Sequence, residues 1–185
     1  KIKNNFPVAL VIQHPVLIDS HLSGNEIITT LKALKTFKMN IIVLYPNFDT
    51  GSKKIIEEIE KYKKLKNFFI FKNLERSIFL NLLANIDFLI GNSSAGILEA
   101  PSFKLPVINI GNRQRGRMQA NNVLNCTSTH KNIVKKINYI QKNANFKKQI
   151  KFCKNPYGDG NSSERIVKIL KNIDLKGILD KKITY

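Results

Sequence analysis

Short apolar runs alternate with segments of helical periodicity along most of this chain, and no other feature of the sequence restricts its fold as much. Val8–Ile12 is a buried-strand run closed by Gln13-His14-Pro15, where the proline disfavours helix at His14 and marks a turn. Across residues 25–37, Ile27, Ile28, Leu31, Leu34 and Phe37 recur at helical spacing. Ile41-Ile42-Val43-Leu44 is a second strand run ending in Tyr45-Pro46-Asn47, and residues 52–64 read as an exposed helix with Thr50 or Ser52 available as its cap. Phe68–Phe71 is a third strand, 76–84 an apolar-faced helix, and 87–90 a fourth strand that stops at Gly91. Residues 95–100 read as a short helix, 106–110 as a fifth strand and 123–124 as a short sixth. From 132 to 171 the pattern is helical, broken at Asn155-Pro156-Tyr157-Gly158-Asp159-Gly160.

Such alternation predicts an α/β fold, a Rossmann-like parallel sheet with helices on both faces. The 185 residues suffice for one domain with a hydrophobic core, and no linker or internal repeat divides them, so residues 1–185 read as one domain. Ligands in sheets of this kind sit at the carboxyl ends of the strands. That rule selects His14-Pro15, Pro46-Asn47, Gly91-Asn92-Ser93-Ser94 and Gly111-Asn112-Arg113, the segments richest in polar and special-geometry residues.

Composition narrows the class further. Hydrophobic residues make up 43%, which argues against wholesale disorder. No apolar run approaches the roughly 20 residues that span a bilayer. There is no signal-peptide pattern, and the chain opens on Lys1, so sequence upstream of it is expected to be missing. Cys126 and Cys153 form no metal-ligand spacing and fit the reduced thiols of a cytoplasmic protein without metal or cofactor. Thirty-one Lys and Arg against thirteen Asp and Glu give a net charge of +18. Charge alone would suggest nucleic acid, but the lysines are scattered among many Asn and Ile and no nucleic-acid-binding signature accompanies them. The excess remains suited to attracting a nucleotide diphosphate.

Several segments carry chemistry. Gly91-Asn92-Ser93-Ser94-Ala95-Gly96 has the form of a strand end, a small-residue turn and a helix start. It is either an anion site built from amides and hydroxyls or a capped helix. Glu99 either complements a helix dipole or accepts from ribose hydroxyls. Arg113-Gln114-Arg115-Gly116-Arg117 holds three arginines in five residues, as phosphate ligands or as solvated loop charge. His14 can bind phosphate, donate to a leaving oxygen, act as acid or base, or be structural. Phe79 is by itself a core residue. His21 and His130 have no supporting pattern.

Taken in order, Gln13-His14-Pro15-Val16, Tyr45-Pro46-Asn47-Phe48-Asp49-Thr50-Gly51-Ser52-Lys53, Ile90-Gly91-Asn92-Ser93-Ser94, residues 106–117 and Tyr157-Gly158-Asp159-Gly160-Asn161 resemble the hydrolysing UDP-N-acetylglucosamine 2-epimerases of sialic acid precursor synthesis. The resemblance runs from about Phe6 to Ile173 and covers only the second of that family's two domains. It implies one half of a GT-B-like fold, with the amino-terminal domain absent and a homo-oligomer in full-length form. It implies that His14 lies by the diphosphate and the glycosidic oxygen, that Phe79 packs on uracil, and that Ser93 and Ser94 bind phosphate. Glu99 would bind ribose, and Arg113 with Arg117 would neutralise the diphosphate. The implied reaction converts UDP-N-acetylglucosamine and water to N-acetylmannosamine and UDP, through loss of UDP across C1 and C2. The acidic residues that move protons at C2 and C3 belong to the first domain. Non-hydrolysing relatives carry an arginine-rich string where Pro15-Val16 stands here, which favours the hydrolysing branch. The competing expectations are a related epimerase acting on a diacetamido or GDP-linked sugar, a GT-B glycosyltransferase half, or a non-catalytic nucleotide-binding module. No nucleic-acid or membrane partner is expected.

Overall fold

The computed structural model describes residues 5–16, 23–174 and 176. Within them six strands form one all-parallel sheet: β1 (Val8–Ile12), β2 (Asn40–Leu44), β3 (Phe68–Phe71), β4 (Phe88–Gly91), β5 (Val107–Ile110) and β6 (Val123–Cys126). Their order is β3-β2-β1-β4-β5-β6. The helices are α1 (Ser23–Lys35), α2 (Ser52–Glu60), α3 (Arg76–Asn85), α4 (Ala95–Leu98), α5 (His130–Lys142), α6 (Ala144–Ile150) and α7 (Ser162–Asn172). No helix of the described residues is long and apolar enough to cross a membrane.

The central strands are apolar on both sides because both sides are covered. Ala9 and Val11 of β1, with Ile41 and Val43 of β2, pack against Ile27 and Leu31 of α1, Ile55 and Ile59 of α2 and Ile133 and Ile137 of α5. The intervening residues Leu10, Ile12, Ile42 and Leu44 face the opposite way, onto Leu83 of α3 and Ala95 of α4. The period of two in a strand therefore divides a continuous apolar run between two cores. Cys126 and Cys153 are buried free thiols, and burial pushes both up from the usual cysteine range.

Element boundaries differ from the sequence pattern where the local chemistry is special. The exposed helix expected over 52–64 ends at Glu60 and gives way to turns. Neither Thr50 nor Ser52 caps it; Gly51 stands at the cap with φ 97° and no side-chain hydrogen bond. The short helix expected over 95–100 is a single α-turn, Ala95–Leu98, followed by a 3-10 turn at Ala100–Phe103 with Pro101 in its first turn. The expected two-residue sixth strand extends to Cys126 by pairing with β5. α7 has no buried residue, and Ile166, Ile169 and Leu170 lie exposed along it.

The strand order turns between β1 and β4, and this seam is tight. Ile12 is in register with Leu44 on one side and Gly91 on the other, so the segments after these strands open on one edge. Gly91 has φ 137°, and a Cβ there would stand 2.0 Å from the Ile12 carbonyl oxygen. Only glycine lets the chain leave β4 this close to β1. Gly91→Ala should therefore lower the unfolding free energy by about 2–3 kcal/mol or more, since backbone strain and a backbone clash add. Urea denaturation followed by circular dichroism checks this, and an unchanged midpoint would contradict the close approach.

Candidate functional site

Asn92 is the first residue past this glycine, and it is buried, 1% exposed. Its main-chain N–H donates to the Ile12 carbonyl at 3.1 Å. Its carboxamide then pairs with the main chain of His14: the His14 N–H donates to Oδ1 at 2.7 Å, and Nδ2 donates to the His14 carbonyl at 2.9 Å. The sheet ladder between β1 and β4 ends at Ile12 and Gly91, and one side chain carries it onward. The Asn92 carbonyl accepts in turn from Arg113 Nη1 at 3.2 Å and from Gln114 Nε2 at 2.8 Å. Thus the β4 turn, the β1 turn and the loop after β5 meet on one buried asparagine.

His14 is half-buried, and its ring is held from a third strand end. The backbone N–H of Asn47, just after β2, donates to its Nδ1 at 3.0 Å. Burial, and next the Arg113 guanidinium, push His14 down from 6.5 to about 4, with the Asn47 side chain and then the Asp49 carboxylate opposing. The imidazole is therefore uncharged at neutral pH. Arg113 is itself half-buried; burial lowers it, Asp49 draws it back up and Arg117 pushes it down.

The remaining candidate residues divide into two sets. His14, Ser93 and Phe79 share a groove of about 330 Å³ at the ends of β1, β2 and β4, together with Tyr45, Lys72 and Arg76. Phe79 is half-buried on α3, with its inner side packed on the second core. Ser93 is buried and its Oγ accepts the Ala95 N–H at 3.3 Å, while its own hydroxyl hydrogen stays free to donate. Ser94, Glu99, Arg113 and Arg117 do not line that groove. Ser94 starts α4, and its carbonyl accepts from Ile97 and Leu98. Glu99 closes α4 in an ion pair with Arg76, the first residue of α3. Arg117 is exposed in the loop beyond Gln114.

Two expectations change with this geometry. Helix amides contribute little to an anion site here, because α4 is one turn long and the N–H groups of Gly96, Ile97 and Leu98 already donate to Ser93 and Ser94 carbonyls. The hydroxyls and the arginine side chain are what remain for a phosphate. Asn92 caps no helix and instead ties two strand ends together. Sequence reasoning selected the Pro46-Asn47 strand end without giving Asn47 a role, and it missed Arg76 and Gln114 as site residues. For Gln114 a weak signal existed, an uncharged amide between two arginines; for the Asn47 backbone amide none could.

Residues 155 and 157 reach this region through two hydrogen bonds. Asn155 Nδ2 donates to the Leu98 carbonyl at 2.9 Å, and the Tyr157 hydroxyl donates to the Met118 carbonyl at 3.0 Å, bracing α4 and the arginine loop. A larger hollow of about 590 Å³, between α1 and the ends of β5 and β6, takes Glu26, Asn109, Arg115 and Asn125, but none of His14, Phe79, Ser93, Ser94, Glu99, Arg113 and Arg117. Among the described residues no cluster of His, Cys, Asp and Glu could hold a metal ion.

The buried histidine makes stability depend on acid. Unfolded, His14 takes up a proton below about pH 6.5, whereas in the fold it does so only near pH 4, so stability falls as pH drops through that window. His14→Gln should shrink the loss of urea midpoint between pH 7 and about pH 5 relative to the parent chain. Equal losses in the two proteins would mean that His14 titrates normally.

Comparison with known proteins places the chain. The family described as UDP-N-acetylglucosamine 2-epimerase matches residues 1–171. The hydrolysing UDP-N,N'-diacetylbacillosamine 2-epimerase of Legionella pneumophila is 38% identical over 179 residues, 96% of this chain and 46% of that protein. The UDP-N-acetylglucosamine 2-epimerase of Neisseria meningitidis serogroup B is 35% identical over 159 residues, 86% of this chain and 41% of that protein. In three dimensions the crystal structure of the Neisseria meningitidis enzyme bound to UDP-GlcNAc gives a TM-score of 0.73 at 22% identity, over 92% of this chain and 46% of that one. The chain thus spans about half the length of the curated relatives it matches, and the half it matches is the carboxyl-terminal one. On these residues and this fold, the chain belongs to the UDP-N-acetylglucosamine 2-epimerase family.

Proposed function

We propose that this chain is the UDP-binding domain of a hydrolysing 2-epimerase that converts UDP-N-acetylglucosamine and water to N-acetylmannosamine and UDP. The observation that carries the reading is the convergence of His14, Ser93 and Arg113 on the β1–β4 seam through Asn92, in a chain whose family match spans 1–171. In this reading uracil lies on Phe79, ribose on Glu99, and the diphosphate on Ser93, Ser94, Arg113 and Arg117. The Arg76–Glu99 ion pair gives Glu99 a fixed place, from which its free oxygen accepts a ribose hydroxyl. His14 sits at the glycosidic oxygen.

The chemistry of this half is leaving-group stabilisation. When the C1–O bond breaks, its electron pair goes to the diphosphate, and donors aimed at that oxygen lower the barrier more than they tighten ground-state binding. The proton leaving C2 goes to a base outside this chain, which leaves an amino-terminal domain to supply it. A second substrate reading, UDP-N,N'-diacetylbacillosamine, is favoured by the Legionella relative, which matches more of the chain at higher identity. Restored full-length protein assayed on both sugars separates the two.

UDP should bind to this chain alone, without turnover of UDP-N-acetylglucosamine. Arg113→Ala should weaken UDP by roughly 1.5–3 kcal/mol, a lost charge-assisted contact, read by calorimetry. Phe79→Ala should weaken UDP and UMP alike, because a stacking platform does not sense the second phosphate. Turnover by the chain alone, or unchanged UDP affinity in Arg113→Ala, would overturn the assignment.

A further inference from the structure

We propose that His14 acts as a neutral hydrogen-bond donor through Nε2–H, its tautomer set by the Asn47 amide and its main chain by the Asn92 carboxamide. The proposal rests on the epimerase reading only for the oxygen that receives the hydrogen bond. The geometry decides the tautomer. A backbone amide can only donate, and the Asn47 N–H donates to Nδ1 at 3.0 Å, so Nδ1 carries a lone pair and the ring proton stands on Nε2. Asn47 is held for this task by its own side chain, which donates to Asp49. The backbone carrying the ring cannot rotate away, because Asn92 holds both the N–H and the carbonyl of His14.

Burial and the Arg113 guanidinium act against a charged ring, while the Asn47 side chain and then the Asp49 carboxylate act for it. Arg113 lies close enough to disfavour a second positive charge, and Lys72 and Arg76 line the same groove. Asp49 is the acidic group on the opposing side and Tyr45 the remaining titratable neighbour. Burial together with Arg113 outweighs the Asn47 side chain and Asp49, so the ring stays neutral.

A neutral donor also suits the leaving group. A terminal phosphate loses its second proton near pH 6, so UDP departs at neutral pH without needing a proton. As C1–O breaks, the electron pair stays on the β-phosphate oxygen, His14 keeps its proton, and the new charge is met by Nε2–H and by Arg113. No proton moves from this half of the protein. Asn47 and Asn92 are therefore positioning residues, and His14 is the group that touches the reacting oxygen.

The test reads the ring nitrogens directly. The chain has three histidines, so 15N-histidine spectra are assigned with His21→Gln and His130→Gln. At pH 7 His14 should show a pyridine-type Nδ1 and a pyrrole-type Nε2, with a titration midpoint well below the ordinary 6.5. A protonated Nδ1, or a midpoint at or above the ordinary value, overturns the proposal. Asn92→Ala should move the midpoint up towards the ordinary value while circular dichroism stays unchanged; if that variant does not fold, the parent spectra still decide. In full-length enzyme His14→Ala should lose about 10²-fold in kcat, and His14→Gln, which keeps a donor near Nε2, should recover most of it. The Gln variant should also keep the parent pH profile. Gln no better than Ala would mean that a proton is transferred, against the proposal. If the nitrogen spectra agree but no epimerase activity is found, the tautomer stands and the epimerase reading falls.

Discussion

Beyond the β1–β4 ladder one buried carboxamide joins the two strand ends, and the site is arranged around it. Asn92 replaces the ladder partner that β1 loses after Ile12, and its carbonyl collects the arginine loop. Leaving a buried donor or acceptor unpaired costs about 1–3 kcal/mol, so each of these contacts constrains the segment at its other end. Gly91 makes the arrangement possible by letting the two backbones approach, and the braces from Asn155 and Tyr157 keep α4 and the loop from drifting. The strand order supplies the place, since a parallel sheet leaves its crevice where the order turns.

Charge takes its meaning from this framework. The excess of eighteen positive charges is spread over the chain and by itself selects no ligand. Arg113 differs from the other basic residues by position. It is half-buried, hydrogen-bonded to the seam and near enough to His14 to alter that ring. A surface lysine offers a phosphate a screened contact, whereas a guanidinium hydrogen-bonded to the seam offers a directed one.

Much of the fold was legible because strand and helix periods leave different marks. All six strands stand where the apolar runs are, and both cores follow from the period of two. The strand ends that hold His14, Ser93 and Arg113 were selected by the same reasoning. What escaped was local chemistry. The one-turn α4 was indistinguishable from a longer helix, because Pro101 is equally at home in the first turn of a helix and in a 3-10 turn. The Asn92 contacts span 78 residues, and no periodicity reports a partner that distant. The Asn47 amide is a backbone group, so its place against His14 depends on the turn after β2 and on no side chain. The exposed apolar face of α7 carries a helical pattern as strong as a core helix, so the sequence could not tell that the described residues leave it uncovered.

The central claim is that a nucleoside diphosphate sits on the β1–β4 seam, and amide spectra of the 15N-labelled chain titrated with UDP test it most directly. The account predicts that the largest shifts fall on Asn47, Ser93, Ser94 and Ala95 and on Arg113 and Gln114, and that UMP moves the arginine loop less than UDP does. Shifts centred instead on the hollow of Gly111, Asn125 and Thr127, or spread evenly over the basic helices, would contradict it.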